Sequence, residues 1–401
     1  MKKAMFDKIS IQNYKSIQSL ENFDLKPVNV LIGANNSGKS NFLDMFAFLR
    51  DTLMDDHPRN HQDNGKEGNE KAGWEGALQK RGGLESVGFE QETSFNIRYF
   101  TESLRYYLRI DKGPLTGYAQ IGDEQFTSII GAEKKYFELR NSNVTIYDEN
   151  GSNLSTSTIH QRTALGEFLK QMEHFIRKNL GDKQAFAFAK KLSEIRIYNR
   201  IHTEIWSPIR LPKVSKGETI LEEDGANLVG VLNQLSETYP AFRRELHSLL
   251  KISFPDFARI SFPHNHQGEI LIRWEDTNGR ISNTAQLSDG TLKFLCLIAI
   301  LKNPNPPALN GIDEPDANLH PKMQERLVNM IGEASQRTQI IVTTHNPDFV
   351  SMFSPEEIVI VQRHKGATEM RRFSDKGALD LWLQDFTTRE LWLMGELESR
   401  W

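Results

Sequence analysis

Cysteine is nearly absent: Cys296 is the single one in 401 residues. No disulfide framework can form within the chain, which fits a reducing, cytoplasmic setting. Excess positive charge is absent as well. The 49 Lys and Arg against 53 Asp and Glu leave a net charge of −4, so there is no global basic footprint for nucleic acid, and only a local patch stays open. Long apolar runs are missing. The longest, Phe294 to Leu301, falls well short of the ~20 residues of a membrane span, so no membrane partner is expected. Met1-Lys2-Lys3-Ala4-Met5 runs into polar residues rather than an apolar core, so no signal peptide is expected. No internal repeat is visible. What is there is an ordinary composition, 38% hydrophobic and 25% charged, in a chain long enough for roughly two or three domain-sized units.

One stretch organises the chain. Val28-Asn29-Val30-Leu31-Ile32 is a short apolar run, Gly33-Ala34-Asn35-Asn36-Ser37-Gly38-Lys39-Ser40 follows it, and Asn41-Phe42-Leu43-Asp44-Met45-Phe46 begins a helical pattern. This is the strand–loop–helix setting that the G-x-x-x-x-G-K-[ST] pattern requires. The backbone N–H groups of such a loop turn inward on phosphate oxygens, helped by the positive end of the next helix. Lys39 is placed to reach the β- and γ-phosphates of a nucleoside triphosphate, and the Ser40 hydroxyl to bind Mg²⁺. Gly33, Asn35, Asn36, Ser37, Gly38, Lys39, Ser40 and Asn41 are the candidate nucleotide-binding residues.

The rest of the chain alternates in character. Residues 6–32 read as β-rich and 41–53 as a helix, and the apolar-free stretch within 55–73 reads as a surface loop. Alternating runs at 95–99, 105–110, 136–139 and 144–147 predict antiparallel strands, with turns at 112–114 and 148–151. Helical spacing covers 160–194 and 224–253, the latter opening at Asp224-Gly225-Ala226-Asn227, with a strand at 195–198 between them. A strand is expected at 270–274. Helix 291–301, a strand ending at Asp313, helix 322–335, strand 339–343 and strand 357–362 then alternate, which implies a parallel sheet.

Three more motifs carry chemistry. Ile312-Asp313-Glu314-Pro315 ends a strand in two carboxylates, at the sheet edge where α/β ligand sites lie, although Asn310 and Gly311 break the strand's apolar run. Asp313 is suited to hold Mg²⁺ and Glu314 to act on the attacking water as a general base. Leu287-Ser288-Asp289-Gly290 precedes a helix, and there Ser288 and Gly290 offer an anion site. Taken alone, Ser288 is more readily a plain helix cap. Ile340-Ile341-Val342-Thr343-Thr344 delivers His345 to the same sheet edge, where a neutral imidazole can hydrogen-bond a phosphate or water.

Together these features resemble ABC-type ATPases. Gly33 to Ser40 matches their Walker A motif, Leu287 to Gly290 the LSxG signature, Ile312 to Pro315 Walker B, Ala317-Asn318-Leu319-His320-Pro321 the D-loop, and His345 the switch histidine. Ile11-Gln12-Asn13-Tyr14-Lys15-Ser16-Ile17 is similar to a segment of the SMC/RecF/OLD branch that lies near the nucleotide, which adds Lys15 and Ser16 as weaker candidates. Gln79 is a candidate for the Q-loop glutamine and metal ligand. The resemblance implies an α/β fold, an ABC-type head with an antiparallel β subdomain and a helical insertion. It implies ATP and Mg²⁺ as cofactors and a head-to-tail homodimer in which Ser288 and Gly290 complete the site of the second chain. The expected division is 1–90 and 265–365 for the two halves of the head, 91–264 for the insertion, and 366–401 for a helical tail.

The chain also departs from the families it resembles. It lacks the sustained heptads of SMC arms, and too little follows His345 for the TOPRIM nuclease of the OLD proteins. Asp375, Asp380 and Asp385 read as helix surface. His264, His266 and the histidines between 57 and 61 are weak metal candidates, lacking acid and Cys companions. The favoured function is an ATPase acting as sensor or motor subunit in anti-phage defence, with a separately encoded effector such as a nuclease. The alternatives are a RecF-like repair ATPase on duplex DNA and an ATP-bound scaffold with little hydrolysis.

Overall fold

The computed structural model describes residues 6–53, 73–113, 118–130, 134–140, 142–148, 150–158, 163–177 and 182–372. Most of the loop expected at 55–73, with its histidines, and most of the tail expected at 366–401 lie outside the described residues.

Strands β1 (Lys8–Tyr14), β2 (Ile17–Asp24) and β3 (Val28–Ile32) lead into helix α1 (Lys39–Leu53). Helices α2 (Gly73–Gln79) and α3 (Leu84–Val87) precede six strands, β4 (Ser94–Phe100), β5 (Leu104–Lys112), β6 (Ala119–Ser128), β7 (Lys134–Arg140), β8 (Asn143–Tyr147) and β9 (Asn153–Thr158). Helices α4 (Ala164–Arg177) and α5 (Lys183–Ser193), strand β10 (Arg196–Tyr198), and helices α6 (Leu228–Thr238) and α7 (Pro240–Ser253) follow. Next come β11 (Phe257–Ser261), β12 (Arg273–Asp276) and β13 (Ile281–Asn283). The chain continues through α8 (Asp289–Leu301), β14 (Leu309–Asp313), α9 (Pro321–Ala334), β15 (Gln339–Thr344), α10 (Pro347–Val350), β16 (Ile358–His364) and β17 (Ala367–Arg372).

The central sheet has the order β10-β14-β15-β3-β16-β17. Its first five strands are parallel, and β17 returns antiparallel through a two-residue turn at Lys365-Gly366, both at positive φ. The pleat sorts its side chains between two cores. Leu31, Ile341, Val359 and Val361 join the aromatic core under α1, α4 and α5. Val30, Ile32, Ile340, Val342, Ile358 and Ile360 join the core under α6, α8 and α9. Both faces are buried, as a parallel sheet requires. Gly311 accounts for the broken run in β14: a Cβ there would lie 2.9 Å from Leu43 of α1 and 2.6 Å from Ile197 of β10. Its bareness lets the helix lie close against the sheet.

The second sheet has eight strands in the order β2-β1-β4-β5-β6-β7-β8-β9. It is antiparallel, as the alternating runs predict. It is not confined to residues after 90, because β4 pairs with β1. Conversely β10, inside 91–264, pairs in parallel with β14 of the central sheet. The helical stretches at 160–194 and 224–253 are each two helices. The second pair is divided at Pro240, the first residue of α7, since proline fits a helix start but not an interior. The strand expected at 270–274 begins only at Arg273. Ile270 instead bridges Lys213 and His264.

Candidate nucleotide site

The register of the central sheet assembles the site. Asp313 pairs with Thr343, and Thr344 with Ile32. The C-terminal ends of β14, β15 and β3 therefore lie side by side, and they carry the carboxylates, the histidine and the glycine loop respectively. In open α/β sheets this edge is where ligands bind.

The loop is sculpted for backbone exposure. Asn36 and Gly38 have positive φ. A Cβ on Gly33 would lie 2.1 Å from the Val361 carbonyl, and one on Gly38 2.0 Å from Thr368 Oγ1. Asn35 and Asn36 are exposed and Ser37 is buried. Helix α1 starts at Lys39, two residues earlier than its sequence pattern, so Lys39 and Ser40 sit in its first turn. Lys39 is 6% exposed. Its Nζ donates to the Gly33 and Ala34 carbonyls at 2.8 and 2.9 Å. An ammonium has three donors, so it can also take a phosphate oxygen. Burial lowers its pKa below the usual lysine value, while Asp313 and Glu314 oppose that shift.

Ser40 Oγ donates to Asp313 Oδ2 at 3.1 Å. The other Asp313 oxygen accepts from Thr343 Oγ1. Glu314 has φ 46° and its N–H donates to the Thr343 carbonyl at 3.1 Å. Its Oε1 meets His345 Nδ1 at 2.9 Å. Ser40 and Asp313 supply the hard oxygen donors that Mg²⁺ requires, so the residues fit that ion. The ion would neutralise phosphate charge there.

The remaining candidates divide between the underside of the loop and other segments. The Lys15 ammonium pairs with Asp44 of α1 at 2.7 Å. Ser16 lies under the loop: Asn41 Nδ2 donates to its Oγ at 2.7 Å, and Ser16 Oγ meets Thr368 Oγ1 at 2.7 Å. Gln79 is exposed at the end of α2, where its carbonyl accepts from Gly82. From that region it is Arg81 that reaches α1, bonding Asp44 at 2.9 Å and Asp51 at 3.1 Å. Ser288 caps α8, accepting from Thr291 N at 3.1 Å, and is exposed. Gly290 lies against the loop after β14, where a Cβ would be 3.0 Å from the Asn318 carbonyl. Among the described residues no group of three or more His, Cys, Asp or Glu forms a metal cluster, and no helix is long and apolar enough to cross a membrane.

Several supporting residues escape the motif reading. Thr368 Oγ1 donates to the Ser37 carbonyl at 2.9 Å. The Lys-Gly turn between two alternating runs is the signal that would have revealed its strand. Buried Arg210 donates to the Ala285 and Leu287 carbonyls at 3.0 and 2.7 Å and to Asp289 at 2.6 Å, fixing the loop before Ser288. Lys293 of α8 reaches the loop after β14. No spacing rule marks either residue.

This fold and this site define a P-loop ATPase of the ABC type. A family model described as "AAA domain, putative AbiEii toxin, Type IV TA system" matches residues 28–351. The chain belongs to that family, AAA_21. It is 24% identical over 430 residues to the "Retron Ec83 probable ATPase" of Escherichia coli, a match covering 94% of this chain and 74% of that protein. Among solved structures it resembles an SMC head bound to the C-winged helix domain of ScpA, with a TM-score of 0.54 and 15% identity over 93% of this chain and 99% of the other. That likeness is one of fold.

Proposed function

We propose that this ATPase binds ATP with Mg²⁺ at the β3 loop, and that two chains pack head to tail so that each signature segment completes the other's site. In this reading the loop amides and Lys39 hold the phosphates, Ser40 and Asp313 hold the metal, Glu314 takes the proton of the attacking water, and His345 orients Glu314 and the γ-phosphate. Ser288 and Gly290 arrive from the second chain. The observation that carries the reading is the convergence of Ser40, Asp313, Glu314 and His345 through bonds of 3.1 and 2.9 Å across neighbouring strand ends.

The dimer is supported by the surroundings of Ser288. Ser288 is exposed on a loop pinned by Arg210, and beside that arginine Ile205 and Trp206 are 73% and 90% exposed. Such an apolar rim is surface for a partner to cover. The biological role we assign is that of a cytoplasmic sensor or motor subunit of an anti-phage system with a separate effector. The retron naming of one relative supports it.

The test is Glu314→Gln. The variant should bind ATP, dimerise with it, and hydrolyse about 100-fold or more slowly, the scale of a lost general base. Unchanged turnover would overturn the role of Glu314, and a strictly monomeric variant in Mg-ATP would overturn the dimer. Hydrolysis that rises on adding duplex DNA, with a steep salt dependence, would favour a repair ATPase instead.

A further inference from the structure

Lys293 lies on the signature helix α8, whose N-cap is the exposed Ser288. Nζ donates to the Glu314 carbonyl at 2.8 Å and to the Ala317 carbonyl at 2.9 Å. The side chain is half-buried. The peptide it grips is unusual. Glu314 is a non-glycine residue at φ 46°, in the left-handed region that side chains rarely adopt. Its N–H is tied to Thr343 on one side, and its carbonyl to Lys293 and the Ala317 N–H on the other. Gly290 of the same helix packs on the next turn of this loop, within 3.0 Å of Asn318 as judged from a Cβ at that glycine.

We infer that Lys293 is a positioning residue for Glu314: it holds the backbone that aims the carboxylate, and it ties the signature helix of each chain to that chain's own base. The inference rests on the reading of Glu314 as the general base. Misplacing a reacting group by about an ångström costs about 100-fold in rate. Losing the ammonium should therefore slow the chemical step and spare nucleotide binding, which uses the β3 loop and no atom of Lys293.

The experiment is a double-mutant cycle on the full chain, reading kcat in steady-state hydrolysis and Kd with a fluorescent ATP analogue. Lys293→Met should lower kcat about 10- to 100-fold with Kd within about threefold. Lys293→Arg, which keeps donors towards the two carbonyls, should recover part of the rate and serves if the methionine variant does not fold. In the Glu314→Gln background Lys293→Met should cost little more, because the lysine acts through the glutamate. The inference is overturned if Lys293→Met leaves kcat within twofold while Glu314→Gln abolishes it, or if the two losses multiply, or if Kd rises in step with the fall in kcat. Should Glu314→Gln alone leave turnover intact, the reading of the base fails first and this inference with it.

Discussion

At the scale of single residues, the phosphate loop depends on a chain of hydroxyls that belongs to distant parts of the sequence. Asn41 Nδ2 donates to Ser16 Oγ, and Thr368 Oγ1 donates to the Ser37 carbonyl at 2.9 Å. Each hydroxyl has one proton, so the 2.7 Å contact between Ser16 and Thr368 must run from Ser16 to Thr368. The relay Asn41, Ser16, Thr368, Ser37 thus has a single direction, with both hydroxyl protons used. Thr368→Val keeps the shape and removes the link, leaving the Ser37 carbonyl without its donor and the Ser16 hydroxyl proton without its acceptor. An unpaired buried polar group costs about 1–3 kcal/mol. The variant should melt at lower temperature, and ATP should stabilise it less than the wild type at equal concentration, since ligand stabilisation scales with affinity. An unchanged melting temperature and ATP shift would show that the relay is idle. Gly33→Ala is harsher, because the added carbon meets a backbone carbonyl at 2.1 Å that cannot move cheaply. It should abolish ATP-induced stabilisation in the same assay.

At the scale of elements, buried charge fixes the ends of helices. Helix α1 is anchored by Arg50, which pairs with its neighbour Asp51 and reaches Glu223, and by Arg81, which holds Asp44 and Asp51 of the helix. Asp51 is 1% exposed, so removing a partner leaves a buried carboxylate short of compensation. Arg81→Met should lower the unfolding free energy by about 3 kcal/mol, measured by urea denaturation. Helix α4 starts on a different device. Glu124 of β6 accepts from the Ala164 and Leu165 N–H groups at 2.6 and 2.7 Å, and from the Tyr106 hydroxyl at 3.0 Å. Burial outweighs these bonds and pushes its pKa up to about 7. The fold therefore favours the protonated acid. The stability this contributes is complete below the ordinary carboxylate pKa and is lost as pH rises through about 7. Relative to Glu124→Gln, the wild type should lose up to about 1.4 kcal/mol per pH unit between about pH 5 and 7, and the loss should level off above that. A pH-independent difference would show that Glu124 stays ionised throughout.

These elements also show what a sequence displays and what it hides. The loop, the Asp-Glu strand end and the His345 strand are contiguous, and each has a local physical reason for its residue types, so they are readable in line. Thr368, Arg210 and Lys293 act through long-range hydrogen bonds of isolated side chains, which leave no spacing behind. The parallel sheet follows from the alternation of strands and helices. The place of the three-residue β10 in that sheet does not, because Arg196-Ile197-Tyr198 is too short for its pattern to say which sheet it joins.

At the scale of the whole molecule, the phosphate loop and Ser288 lie on different segments, and the composite-site reading makes a quantitative demand. Consider one variant defective in the loop, Lys39→Ala, and one defective in the signature, Ser288→Arg. If each site joins one chain's loop to the other chain's signature, both homodimers are inactive. A mixed dimer keeps one intact site, made of the normal loop of the Ser288→Arg chain and the normal signature of the Lys39→Ala chain. Its second site carries both defects. In a symmetric dimer at equal mixing, half the dimers are mixed and each has one of two sites working, so about a quarter of the wild-type hydrolysis should return. Ser288 is an exposed cap, and loss of a cap costs only about 1 kcal/mol, so the variant should stay folded. If one chain completed its own site, every site in the mixture would keep a defect and no activity would return on mixing. The same measurement therefore separates a two-chain ATPase from a self-sufficient one, and Lys39→Ala mixed with itself is its control.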